Sequence, residues 1–223
     1  SESETYADIV PEQIDSVTAL VSIMRGCDNF CTFCVVPYTR GRERSQNPES
    51  IIFEVRQLAN NGIKQVTLLG QNVNSYAVNG TDFVDLIIRV ADIPGIERVR
   101  FTSPHPKDFP EKLIDAIIDH PRICKHIHLP LQSGSDRILE LMNRTYTQQA
   151  FIDLANDMRN RCPQLTLTSD VIVGFCSESE EDFADTYRVM EKIGFNAAFT
   201  FMYSERKNTI AARHYPDNVP QTV

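Results

Sequence analysis

Apolar and polar positions along this chain follow two alternating rhythms. Short runs rich in β-branched and aromatic residues read as strands: Thr18 to Met24 (TALVSIM), Gln65 to Leu69 (QVTLL), Arg98 to Phe101 (RVRF), Lys125 to Leu129 (KHIHL), Leu165 to Val173 (LTLTSDVIV) and Ala198 to Tyr203 (AFTFMY). Between them, apolar residues recur at helical spacing. In the first such stretch Asn47 stands as N-cap, Pro48 takes the first helical position, Ile51, Val55 and Leu58 share a face, and Gly62 lies just past the end. Further helices are expected from about Asp82 to Ala91, Pro110 to Asp119, Ser135 to Asn143 and Thr147 to Arg161. A last one starts near Ser179, where Glu180, Glu181 and Asp182 suit the positive end of a helix dipole, and stops at Gly194.

Strand and helix alternating at this spacing predict parallel βαβ units and an α/β fold. A full eight-unit barrel takes about 250 residues. Six strands in 223 residues therefore suit an incomplete barrel or a doubly wound sheet. In both, chemistry sits beyond the carboxyl ends of the strands. The cysteine-bearing loop follows the first strand directly, and the loops Gly70 to Gly80, Thr102 to Lys107, Pro130 to Gly134 and Gly174 to Ser179 follow later ones.

Composition narrows the class. No apolar run approaches the roughly 18 residues that a membrane-spanning helix needs, so no membrane partner is expected. Lys and Arg number 22 against 30 Asp and Glu, a net charge of −8, so any polyanion contact has to be local. Six cysteines in 223 residues are too few for a disulfide scaffold. They are expected as thiols or metal ligands in a reducing, cytoplasmic compartment. Residues 1–16 read as an acidic leader or linker, 17–204 as the core domain and 205–223 as a C-terminal extension of a fragment.

The densest chemistry is RGCDNFCTFCVVPYTRGRER, from Arg25 to Arg44. Cys27, Cys31 and Cys34 form a C-x3-C-x2-C set in a polar loop. Structural zinc is closed and four-coordinate, so a zinc reading must recruit a fourth ligand from His105, His126, His128 or another cysteine. An iron–sulfur cube also takes four thiolates as a rule. Three from one loop leave one iron open, and an open metal position is the mark of a catalytic site.

This motif, with Phe33 just before the last cysteine and a βα-repeat domain around it, resembles the radical S-adenosylmethionine (SAM) superfamily. The resemblance implies a partial (β/α)6 TIM-like barrel and a 4Fe-4S cluster held by Cys27, Cys31 and Cys34. It implies SAM chelated to the fourth iron and cleaved reductively to a 5′-deoxyadenosyl radical. LLGQNVNSY places Gly70, Gln71 and Asn72 at the SAM amino end, although the family's acidic residue is missing there. LPLQSGSDRILELMNR places Gln132 and Ser133 near the ribose and Arg144 on the carboxylate, which a planar guanidinium fork suits. In SDVIVGF, Asp170 interrupts an apolar strand and should face a polar cavity or a partner. Val173 and Gly174 would admit adenine to the backbone, and Phe175-Cys176-Ser177-Glu178 replaces the usual Phe-Pro-Gly-Glu. Cys124 and Cys162 read as packing residues, and Cys176 as facing the rim of the fold.

Longer stretches, SIMRGCDNFCTFCVVPYTRGRERS, FTSPHPKDFP, HLPLQSGSDRILELMNRTYT and YSERKNTIAA, resemble the radical SAM methylthiotransferases. VVPYTRGRERS with GQNVN is more similar to the branch that converts N6-isopentenyladenosine beside the tRNA anticodon to its 2-methylthio form. Tyr38, Arg40, Arg42 and Arg44 would then meet the anticodon loop by stacking and phosphate contact, where otherwise they read as a solvated basic loop. The resemblance also implies an electron donor such as flavodoxin or ferredoxin. It implies an auxiliary 4Fe-4S cluster in an N-terminal domain and a C-terminal TRAM domain, neither visible in this sequence. The open alternatives are a methylthiotransferase acting on threonylcarbamoyladenosine tRNA or ribosomal protein, and a zinc-binding, non-catalytic RNA module.

Overall fold

Among the described residues, six strands carry the architecture: β1 (Thr18–Ser22), β2 (Gln65–Leu69), β3 (Arg98–Phe101), β4 (His126–His128), β5 (Thr166–Val173) and β6 (Ala197–Met202). They fall into two three-stranded sheets, ordered β1-β2-β3 and β6-β5-β4. Each strand lies beside its successor with no reversal of order inside a sheet, the order of a barrel rather than of a doubly wound sheet. The computed structural model describes residues 17–220 and 222, and the acidic leader expected over residues 1–16 lies outside them. The chain divides into two compact units, one holding Arg42–His126 with the segment that ends at Gly26, the other holding Cys27–Gly41 and the chain from Ile127 onward.

In the first unit, β1 pairs in register with β2 (Thr18 with Gln65 through Ser22 with Leu69), and β2 pairs with β3 (Gln65 with Arg98 through Leu68 with Phe101). The expected first strand ran to Met24. It stops at Ser22 because Met24 and Arg25 leave this sheet for a short antiparallel ladder with Ser45 and Arg44. Three helices cover the unit: α1 (Pro48–Asn60), α2 (Phe83–Ala91) and α3 (Glu111–Asp119). The Asn47 side chain caps α1 by accepting from Glu49 N, and Asp82 and Asp85 close a reciprocal capping box on α2. Ile51 and Val55 of α1, Leu86 and Ile87 of α2 and Val21 of β1 are wholly buried. Each such side chain contributes about 1.5–3 kcal/mol through removal from water.

In the second unit, β5 pairs with β6 from Thr168 opposite Ala197 to Val173 opposite Met202. The helices are α4 (Asp136–Leu141), α5 (Gln148–Arg161) and α6 (Glu180–Ile193), capped by the Ser135, Thr147 and Ser179 hydroxyls. Gly194 ends α6 in the left-handed conformation, as the sequence predicts. Helix α4 is shorter than expected, because Asn143 turns to φ 55° and carries the chain back toward Arg144. Gly134 has no room for a side chain: a Cβ there would lie 2.6 Å from Thr186 Cα. Among the described residues, four helical turns stand where the sequence gives no periodicity, Val36–Thr39, Val73–Ser75, Pro106–Asp108 and Ile210–His214, all too short to show it.

Among the described residues, no helix is long and apolar enough to cross a membrane.

Candidate functional site

In the second unit the cysteine loop is tied to the end of α4. Thr32 N and Oγ1 donate to the carbonyls of Met142 (3.0 Å) and Leu141 (2.8 Å), and Asn143 Nδ2 donates to those of Asn29 and Phe30 (3.1 Å each). Thr32 O in turn accepts from Ala211 N at 2.8 Å. Phe30 is held at φ 48°, a conformation that non-glycine residues rarely adopt, so the loop is fixed against local strain. Cys34 N donates to Cys31 O at 3.0 Å and Cys27 N to Gly41 O at 3.2 Å. None of the three is in a disulfide, Cys31 being buried and the other two half-buried. Burial pushes the Cys34 thiol up, against the pull of the Val36 amide. The donor set suits an iron–sulfur cluster. Among the described residues, no three or more His, Cys, Asp or Glu side chains are spaced to hold a single metal ion.

Arg144 reaches this loop. Its guanidinium is buried at 8% exposure and donates from Nη1 to Cys31 Sγ at 3.3 Å, from Nε to Tyr146 Oη at 3.0 Å and from Nη2 to Pro130 O at 3.3 Å. Phe33 packs onto the buried cluster of Ile138, Met142, Phe175 and Cys176. Cys176 is 1% exposed within this cluster and does not face the rim as expected, because it packs inward with Ile138, Met142 and Phe175.

Asp170 finds the partner its apolar strand demanded: His128 Nε2 lies 3.1 Å from Asp170 Oδ2, while His128 Nδ1 meets Thr168 Oγ1 at 3.0 Å. Gln132 sits at φ 65° and is locked to β5 by backbone bonds to Asp170 O and from Ile172 N (2.9 and 2.8 Å). Ser133, expected beside the ribose, is wholly buried with its hydroxyl 3.2 Å from Thr186 Oγ1, so it packs against α6. Val173 and Gly174 border a cavity of about 420 Å³ shared with Glu178, Phe183, Tyr203 and Val219. Glu178 accepts from Gly174 N, while its Oε1 is buried without a partner.

In the first unit, Gly70 is pressed by Met24, whose Cγ would stand 2.5 Å from an added Cβ. Gln71 Oε1 accepts from Gly26 N at 2.7 Å, fixing the chain just ahead of the cysteine loop. Asn72 is 6% exposed and donates from Nδ2 to Glu43 Oε1 at 3.4 Å, leaving its Oδ1 buried and unpartnered. Ser75 Oγ donates to Glu43 Oε2 at 2.8 Å. Glu43 is the residue the sequence reading missed, since nothing local ties it to a loop that follows it by about thirty positions. Glu43 thus brings a carboxylate against a segment whose own sequence has none.

The basic loop is mixed. Tyr38 is 46% exposed, with its ring edge-on to Phe30 and the Arg213 guanidinium 5.9 Å from its centroid. Arg40 and Arg42 are exposed, whereas Arg44 is half-buried in the ladder opposite Arg25.

A profile of the radical SAM superfamily matches residues 21–190, and the chain belongs to that superfamily. The match covers most of the α/β core, and the expected fold class is borne out. Among individual proteins, the chain is 51% identical over 219 residues to the tRNA-2-methylthio-N(6)-dimethylallyladenosine synthase of Acetivibrio thermocellus, covering 97% of this chain and 45% of that protein. It is 50% identical over 231 residues to the synthase of the same name from Bacteroides fragilis, covering 100% of this chain and 50% of that one. The chain thus spans about half the length of the curated relatives it matches. Of solved structures, the radical SAM methyltransferase TsrM from Kitasatospora setae aligns at TM-score 0.72 and 17% identity, over 87% of this chain and 38% of that one. The coproporphyrinogen III oxidase HemN from Escherichia coli, a radical SAM enzyme, aligns at TM-score 0.68 and 14% identity, over 92% and 48%. These likenesses concern the fold.

Proposed function

We propose that this chain is the SAM-cleaving core, residues 17–204, of a cytoplasmic tRNA methylthiotransferase. The single observation that carries the reading is the loop of three cysteines, pinned to the end of α4, with a buried guanidinium on one of its sulfurs. The identity of about 50% to the two synthases supports the substrate class.

Cys27, Cys31 and Cys34 would ligate three irons of a 4Fe-4S cluster. When bound, that cluster supplies one electron to the SAM sulfonium and so gives the deoxyadenosyl radical that activates C2 of N6-isopentenyladenosine. The chain's own residues bind and orient. Gly70, Gln71 and Asn72 present the amino-end loop, and the Glu43 carboxylate with the unpartnered Asn72 Oδ1 gives that loop two acceptors for an ammonium group. Arg144 retains N–H groups for the SAM carboxylate, Gln132 and the His128-held Asp170 serve the ribose, and the backbone at Val173 and Gly174 serves adenine. Tyr38, Arg40, Arg42 and Arg44 contact the anticodon loop. The electron comes from a flavodoxin or ferredoxin. Complete methylthiolation needs an auxiliary cluster besides the one on Cys27, Cys31 and Cys34.

Anaerobic reconstitution with iron and sulfide tests the reading. The expected result is about four irons per chain and a reduced-state EPR signal that SAM perturbs. One tightly held zinc with no such signal would favour the RNA-binding module instead. Full-length protein should methylthiolate hypomodified tRNA and not ribosomal protein, while this chain alone should yield no 2-methylthio product.

A further inference from the structure

Arg144 is a buried cation, and among the described residues no carboxylate pairs with it. A guanidinium taken out of water needs compensation. Two of its contacts are neutral oxygens, the Tyr146 hydroxyl and the Pro130 carbonyl. The third is the sulfur of Cys31. When Cys31 ligates a cluster, its sulfur carries negative charge directly against this guanidinium.

The arginine is also braced. Tyr146 Oη accepts from Arg144 Nε and donates its own O–H to Leu131 O at 2.8 Å, and the Arg144 Cζ lies 5.2 Å from the Tyr146 ring centroid. The strut stands on the loop after β4, and its tip is the guanidinium on Cys31. A side chain serving only a diffusible ligand has no need of this bracing against a protein sulfur.

We propose that Arg144, braced by Tyr146, is a positioning residue for the cluster: it fixes a positive charge and a hydrogen bond on the Cys31 sulfur and thereby raises the cluster's reduction potential. This rests on the function proposed above and extends it to the protein's control of electron entry. Hydrogen bonds to the sulfurs and local charge set the potentials of iron–sulfur clusters. Reduction adds one negative charge to the cluster, so a cation at its ligand favours the reduced state. A low-potential viologen supplies the electron, and no proton moves.

The test is a redox titration of the reconstituted chain without SAM, followed by EPR with viologen mediators. At a fixed poise, Arg144→Gln should lower the ratio of reduced to oxidised cluster about tenfold, or about 59 mV for one electron. Arg144→Lys, which keeps the charge, should recover part of the loss. Tyr146→Phe keeps both the charge and the buried volume and should give a smaller shift of the same sign, so it carries the test if Arg144→Gln does not fold. Midpoints equal to wild type in both Arg144→Gln and Tyr146→Phe, with the cluster intact, would overturn the inference and leave the function standing. Failure of the wild-type chain to hold a four-iron cluster would overturn both.

Discussion

Ser75 donates its hydroxyl to a carboxylate oxygen of Glu43 at 2.8 Å, across a separation of 32 residues. That bond, with the longer one from Asn72, brings an acidic group to a loop whose own sequence has none. Its neighbour, the Asn72 Oδ1, is buried and lacks a donor. An ammonium group would satisfy both.

Glu43→Gln should therefore weaken SAM binding by about 10–100-fold, the worth of one charge-assisted hydrogen bond of about 1.5–3 kcal/mol. Equilibrium dialysis against SAM and against an analogue without the amino group checks it. The wild type should prefer SAM to that analogue, and the variant should lose the preference. Equal affinities of wild type and variant for SAM would remove Glu43 from the site.

Cys27→Ala, Cys31→Ala and Cys34→Ala should each abolish the reconstituted chromophore, whereas Cys162→Ala should keep it. Cys162 caps the end of α5 in the core, buried at 5% exposure and remote in sequence from the cysteine loop. Iron counted per chain decides the matter. A Cys162 variant without iron would show that the three-thiol loop is not the whole ligand set within this chain.

Gly134→Ala introduces a methyl group against backbone atoms, 2.6 Å from Thr186 Cα and 2.8 Å from Asp185 O. Backbone cannot swing aside as a side chain does, so α6 must shift. A loss of about 1–3 kcal/mol follows, which for a chain of this size lowers Tm by about 3–10 °C. Thermal unfolding of the variant measures it, and an unchanged Tm would mean that α6 is far looser than this contact implies.

Asp182 is buried at 6% exposure. Burial alone would raise its carboxyl, but hydrogen bonds from Arg137, Ser135 and Ser179 hold it well below the usual carboxylate range. The folded state thus favours the anion, and its contribution is present above the unfolded value of about 3.9 and fades as pH falls below it toward the lower folded value. Urea unfolding between about pH 2 and 7 should show wild-type stability dropping at the acid end. Asp182→Asn should be less stable at neutral pH and should lose that part of the acid slope. A variant with the full wild-type slope would assign the acid sensitivity to other groups.

The sequence was most legible where the chemistry is local. Asn47, Asp82, Thr147 and Ser179 cap helices because a side-chain oxygen a few bonds from the first free N–H groups needs no tertiary help. The three cysteines share one loop, so spacing alone exposes them. Asp170 announced a partner by its cost in an apolar strand, but only the fold names it as His128. Cys176 misled because a residue at a strand's end can turn outward or inward, and the packing of Phe175, Ile138 and Met142 settles the direction.

By itself the chain's sequence determined the alternation of strands and helices, their caps, and the thiol loop after the first strand, all of which depend on periodicities and contacts within a few residues. Only the tertiary structure decided that Glu43 serves the GQNVN loop, that Arg144 stands on Cys31 and that Ser133 is buried on Thr186. Those relations join residues 29 to 113 positions apart. Such distances close only when the sheets and helices are already packed, and no local pattern encodes which side chain will be waiting there.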